Sequence, residues 1–434
     1  MSLYSPIEWT FDLFPEHHKY LTFLKKVYRH EFRKNGFRRI STPLIEKREL
    51  LEKSWMINWW ILECNDYDIR QKSSIGIMRA YLNNEWKEQI QPVYYYYMEK
   101  FYNKSETGLK WMDLIWTEII WENDPILDAI QLYLNYTVLN KIWLEWKFNI
   151  TINSVWIEKE KVKYREELVT FYDNKRHLLT PELEELIDTD PMMILNSEEE
   201  DLKILNESAP KMVTKFLKKD SKLHYAKFTE YLDLLEVPYS EDHTLVGDNS
   251  ALTNSIWQFK STQWEVISNW GRYNSLAKNL WEVKDIPATW FYVDTGIVIK
   301  MLKENYIKIK NKDEIDLFFV QLWDEAKSSV LPLSIKAREA WINTVVSLWT
   351  PSMKEQMLKA QRSNAKYIVM VWIMEARNGI FQVRNEEDWT QEEIKKEDLI
   401  DYIIWKIGTE NLDFYSPIRD LVIEENPGEE EEEE

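Results

Sequence analysis

The sequence predicts an α+β fold: a mainly antiparallel sheet domain carrying a helical insertion, followed by a smaller α/β domain. Three observations predict it. The strand-like runs QPVYYYYMEKFY and DLIWTEIIW flank the polar turn NKSETGLK, the pattern of an antiparallel hairpin. Charged, helix-forming sequence fills 158–235 between two sets of strands. Beyond residue 315, strand-like and helical segments alternate, as in a small α/β unit.

The elements follow in order. Residues 15–36 form an amphipathic helix with Leu21, Leu24, Val27 and Tyr28 on one face and Asn35-Gly36 as its stop. FRRISTPLIEKRELL reads as extended. After the hairpin, DPILDAIQLYLNYTVLNKI has the apolar period of a long helix and FNITINSV alternates as a strand. TPELEELI, within the insertion, starts with a capping-box pattern. SIWQFKS and WEVIS return to strand and YNSLAKNL to helix. Domain limits are expected at 1–302 and 315–408, joined by a polar linker at 303–314 and followed by an acidic tail, 409–434, disordered at its end. Tyr94 to Tyr97 alternate, which sends two rings to each sheet face.

A net charge of -19 argues against binding nucleic acid by bulk electrostatics, because phosphate binding needs clustered Lys and Arg. The glutamates at 429–434 contribute part of it. No run approaches the ~18 apolar residues of a membrane span, and MSLYSPIEWTFDLFPEHH lacks the basic-then-apolar pattern of an export signal. A cytoplasmic location without a membrane partner is expected. Cys64 is the single cysteine, so a disulfide framework and a cysteine-based zinc site are excluded. His17-His18 has no third histidine spaced to complete a metal site, and none is expected.

Two counts are anomalous: 22 tryptophans against 9 glycines. Together they make up about 7% of the chain, which is an ordinary glycine content. Tryptophan also stands in turn contexts, as in EVISNWGRYNSLAKNLWEVKDIPATWFYVDTG.

Several segments, in order, resemble the histidyl-tRNA synthetase family of class II aminoacyl-tRNA synthetases. IEWTFDLFPEH is similar to its Gly-Thr-x-Asp start, and GFRRISTPLIEKRELLEKS to motif 1, with Pro43 at the motif proline. LIWTEIIWENDPILDAIQL resembles the Gly-Val-Glu strand and following helix, INSVWI the Ile-Asn-Ser-Ile-Gly segment, and WGRYNSL the Gly-Gly-Arg-Tyr-Asp segment. AREAWINTVVSLWTPSMKEQMLKAQRSNAKYIVMVWIME is similar to the anticodon-binding domain. The resemblance implies a class II catalytic-core fold, a dimer through motif 1, and tRNA as a partner. In this alignment Trp9, Trp116, Trp121, Trp143, Trp156, Trp264, Trp270, Trp290, Trp341 and Trp372 fall on family glycines. We read them as UGA codons of a genome in which UGA means glycine, translated with a table in which it means tryptophan. The alternative is a tryptophan-rich protein.

The residues that carry family chemistry are largely replaced. Lys100 and Phe101 lie nearest the motif 2 arginine, and Ile297 at the motif 3 arginine. Lysine supplies charge without the bidentate guanidinium fork. The histidine-recognition loop corresponds to GDNSAL, with Gly247, Ala251 and Leu252 at its arginine and tyrosines. RQKSS keeps Arg70 but has Lys72 where a glutamate receives the substrate amine. Arg70, Glu118 and Arg272 survive as candidate ligand-binding remnants, and Arg79 survives beside them; each also reads as a structural charge. Lys354, Gln356, Lys359 and Arg362 give one helix a basic face that reads either as a tRNA contact or as a solvated surface. The resemblance and these losses together imply a catalytically inactive paralogue with a tRNA-binding or regulatory role, as a homodimer or as a heterodimer with a true synthetase. Two alternatives stay open: an active histidine-tRNA ligase using ATP and magnesium at a divergent site, and a regulatory subunit of ATP phosphoribosyltransferase. That last relative characteristically lacks the anticodon-binding domain.

Overall fold

The computed structural model describes residues 12–54, 62, 64–105, 108–155, 158–195, 197, 199–211, 216–246, 252–281, 284–309, 315–347, 352–409 and 412. Gly247, Ala251 and the acidic end of the chain lie outside them. The chain divides into two compact units, Met1–Ile309 and Lys310–Glu434.

In the first unit eight strands form one sheet, mostly antiparallel. Inward from one edge run the hairpin strands Val93–Ser105 and Gly108–Ile120, then Ala288–Asp294 and Val266–Arg272 at the centre, then Thr253–Ser261 and Phe148–Val155. Short parallel strands at Arg38–Arg39 and Ser240–Glu241 close the two edges. Period-2 alternation divides the apolar residues between two cores. Tyr95, Tyr97, Leu114, Trp116 and Trp290 face the helices Arg48–Ser54 and Ser73–Asn83 and the helical insertion, on what we term the front. Tyr96, Met98, Ile115, Phe291 and Trp270 face the back, covered by the helices Pro15–Lys34, Ile126–Lys141, Lys219–Leu234 and Thr295–Glu304.

The first helix is placed as its periodicity predicts, burying Leu21, Leu24, Tyr28 and Phe32. Gly36, at φ +81°, ends it. Two readings are corrected. FRRISTPLIEKRELL is extended only in short pieces and turns helical at Arg48–Ser54, where helix formers and the Glu49–Lys53 pair (3.0 Å, one turn apart) outweigh the strand pattern. Thr180 makes no capping bond to the Pro181–Thr189 helix; its hydroxyl instead helps hold the Glu182 carboxyl below its usual range, after a bond from the backbone of Glu182 itself. The segment expected as a linker, 303–314, contains the division between the two units, and its first two residues end the Thr295–Glu304 helix; Tyr20 OH donates to Ile307 O at 3.2 Å.

The second unit contains a five-stranded mixed sheet. Leu317–Gln321 lies between Thr344–Val346 and Tyr367–Val371, parallel to both; the antiparallel pair Ile380–Asn385 and Gln391–Lys395 extends the sheet. The helices Trp323–Glu339, Met353–Arg362 and Leu399–Ile407 accompany it. The final hairpin and helix go beyond the strand-helix alternation read from sequence, because their alternating segments are polar and half-exposed.

Candidate functional site

The front face of the large sheet holds an aromatic stack over one buried acid. Register sets Trp116 opposite Tyr97 on one neighbouring strand and Tyr292 on the other. The Trp116 ring lies 4.8 Å from Trp290, 5.3 Å from Tyr292, 5.4 Å from Phe101 and 5.9 Å from Tyr97, all stacked.

Glu118, two residues along the same strand and fully buried, sits beside this stack. Its Oε1 accepts from Ser74 Oγ (2.6 Å), Trp116 Nε1 (3.1 Å) and Tyr97 OH (3.2 Å), while Oε2 meets the Tyr273 hydroxyl. Burial pushes the Glu118 carboxyl up to about 8, even though all four donors favour the charged form. Near pH 7 it is a neutral acid. Burial, then the neighbouring Glu118 charge, also pushes the Tyr97 and Tyr273 hydroxyls well up, so both stay donors.

Arg70 comes to the same face with its guanidinium engaged. It donates to Glu99 Oε2 (2.8 Å), Pro43 O (2.8 Å), Thr42 O (3.3 Å) and the Ser73 hydroxyl, and lies 5.6 Å from the Phe101 ring centroid. Arg272 does not join Glu118. Alternation along its strand puts it on the back face, where it grips Asp128 through Nε (2.8 and 3.0 Å) and Nη2 (2.6 Å) and donates to Glu122 O and Asp124 O. His224 Nε2 lies 2.9 Å from the same carboxylate. Arg79 is held by both oxygens of Glu46.

The positions expected to replace family residues have distinct surroundings. Lys100 is exposed with Nζ 4.4 Å above the Trp111 ring. Phe101 is buried in the stack, and Leu252 is buried against Gly271. Lys72 is half-buried just before the Ser73–Asn83 helix. Ile297 opens the Thr295–Glu304 helix, whose first free N–H groups, on Gly296 and Ile297, donate to Asp294 Oδ1 at 2.9 and 3.3 Å. A carboxylate already holds that helix end, which disfavours a second anion there. This set does not fit a magnesium-bound triphosphate. Among the described residues no group of three or more His, Cys, Asp or Glu could hold a metal ion.

In the second unit Lys354, Lys359 and Arg362 are exposed on the Met353–Arg362 helix. Gln356 is a correction: it is 2% exposed, its amide donating to Gln321 O and accepting from Gln321 N, so the helix turns it toward the sheet. Sequence reasoning missed Ser74, Tyr273 and Glu99 as partners of the surviving charges. Ser74 ends RQKSS and Tyr273 lies in WGRYN, so their place in those motifs was the available signal.

No family model matches the chain. Curated relatives do: the histidine-tRNA ligase of Halothermothrix orenii is 26% identical over 408 residues, covering 90% of this chain and 97% of the relative. That of Thermotoga petrophila is 27% identical over 421 residues, covering 93% and 99%. Over nearly its whole length the chain is similar to histidine-tRNA ligases, which supports a place in the histidyl-tRNA synthetase family. Solved structures agree on the fold. Apo histidyl-tRNA synthetase of S. aureus superposes with a TM-score of 0.75 at 22% identity, over 92% of this chain and 99% of that one. An ATP phosphoribosyltransferase regulatory subunit/histidyl-tRNA synthetase from Bacillus halodurans gives 0.63 at 16% identity, over 86% and 99%. The antiparallel sheet is thus the class II synthetase-like sheet of this family, and the aromatic stack with Glu118 occupies its front face.

Proposed function

We propose that this member of the histidyl-tRNA synthetase family does not charge tRNA and keeps its scaffold for a tRNA-binding or regulatory role. One observation carries the reading: the charges that would hold a nucleotide are missing or engaged. Lys100 lies over an indole, Ile297 is apolar behind an acid-capped helix end, and Arg70 is closed onto Glu99. Preorganised charge is the main source of acceleration in such transfers, and removing one donor costs ~10²–10³ in rate.

ATP-pyrophosphate exchange with histidine tests the catalytic half of the proposal. No exchange above a no-histidine control is expected; histidine-dependent exchange would restore the active-ligase reading. For the binding half, Lys354, Lys359 and Arg362 supply the exposed cations. Changing all three to alanine is expected to weaken tRNA binding at low salt and flatten its salt dependence by up to about three units of slope. An unchanged slope removes this helix from the interface.

The Bacillus halodurans likeness favours a second reading, the regulatory subunit of an ATP phosphoribosyltransferase. Stimulation of the catalytic subunit of that enzyme by this chain would single it out.

A further inference from the structure

Tryptophans in this structure fall into two backbone classes. Among the described residues eleven that are not glycine have positive φ, and seven of them are tryptophan: Trp121, Trp143, Trp146, Trp264, Trp323, Trp341 and Trp389, at +89°, +62°, +62°, +67°, +65°, +62° and +62°. For a bulky side chain this region is an outlier, because Cβ crowds the following carbonyl. Asn254 and Asn364 are of the type that tolerates it. All seven indoles are also exposed, from 37% at Trp341 to 85% at Trp146; Arg384 lies 4.4 Å from the Trp389 ring and Tyr81 6.3 Å from that of Trp121.

The hydrogen bonds identify what such positions call for. At the end of the first helix Gly36 N donates to Arg33 O, and Phe37 N to Phe32 O, the paired bonds of a glycine-terminated helix. Trp143 N to Asn140 O with Leu144 N to Leu139 O repeats that pair after Ile126–Lys141, and Trp341 N to Arg338 O with Ile342 N to Ala337 O repeats it after Trp323–Glu339. Trp264 and Trp389 sit in the turns that join Thr253–Ser261 to Val266–Arg272 and Ile380–Asn385 to Gln391–Lys395.

We propose that these seven positions are glycine in the natural protein, each encoded by a UGA codon that its source reads as glycine. The geometry selects Trp146, Trp323 and Trp389, which family alignment did not, and it rests on backbone conformation independently of any function. Trp116, Trp270, Trp290 and Trp372 have no positive φ and are outside the proposal; Trp9 and Trp156 lie outside the described residues.

Peptide mass mapping of the chain isolated from its source organism tests it directly. Glycine mass at the seven positions is expected, and tryptophan mass there, or UGG codons in the gene, would overturn it. A second test uses recombinant protein with tryptophan written at every position. Trp143→Gly and Trp341→Gly are expected to raise the folded-to-unfolded ratio by roughly 5- to 30-fold each, the range set by one or two kcal/mol. Trp405→Gly, an exposed site inside the Leu399–Ile407 helix, is expected to lower it. A fall at Trp143 and Trp341 as well would mean that the indoles, and not the backbone, decide those sites.

Discussion

The two faces of the large sheet each hold a carboxyl with no exposed surface, Asp128 and Glu118, and they treat it oppositely. On the back, Asp128 is held by the Arg272 guanidinium, with His224 as a further contact. On the front, Glu118 has only hydroxyl and indole donors, and burial holds it up to about 8, as a neutral acid. A buried ion needs an opposite charge with good geometry, whereas a neutral acid needs only hydrogen bonds. The back face therefore works as a structural clamp between helix Ile126–Lys141 and strand Val266–Arg272, while the front keeps a titratable group in an apolar setting.

Isosteric amides break the comparison most sharply. Asp128→Asn leaves Arg272 buried without its counter-charge and is expected to cost about 3–5 kcal/mol in urea unfolding. An effect below about 1 kcal/mol would show that the pair is not the clamp described. The next largest effect is on pH dependence. Folded Glu118 keeps its proton where the unfolded chain has released it, so its stabilisation is full below the ordinary carboxylate value of 4.5 and is lost as pH rises toward about 8. Each pH unit inside that window removes up to about 1.4 kcal/mol. Urea midpoints at pH 5, 6.5 and 8 should fall in that order, and a profile without that fall would refute a neutral Glu118. Glu118→Gln, measured at pH 4.5 where little of that loss has begun, is expected to cost only about 0.5–1.5 kcal/mol and to remove much of the slope above it. Smallest is Lys300→Ala, which opens an exposed pair with Glu265 and should shift the midpoint less than Glu118→Gln does.

How far the site was legible follows from the same faces. Strict alternation along YYYY and WTE indicates that Tyr97, Trp116 and Glu118 share a face, because side chains of a strand repeat every two residues. The expectation that Lys100 and Ile297 stand at family arginines comes from motif position alone. What the pattern does not give is the engagement of the survivors. Arg70 and Arg272 look alike as retained cations, yet one closes on Glu99 and the other on Asp128, partners 29 and 144 residues away. Gln356 lies among exposed cations in sequence but is turned inward by the helical period.

The sequence by itself determined much of the order of strands and helices and the resemblance to the histidyl-tRNA synthetase family, because these depend on local periodicity and residue type. Tertiary structure alone decided which carboxyl stays neutral, which arginine is a clamp, and which tryptophans sit on left-handed backbone. Burial, long-range pairing and φ arise only when distant segments pack together, and residue type along the chain does not specify them.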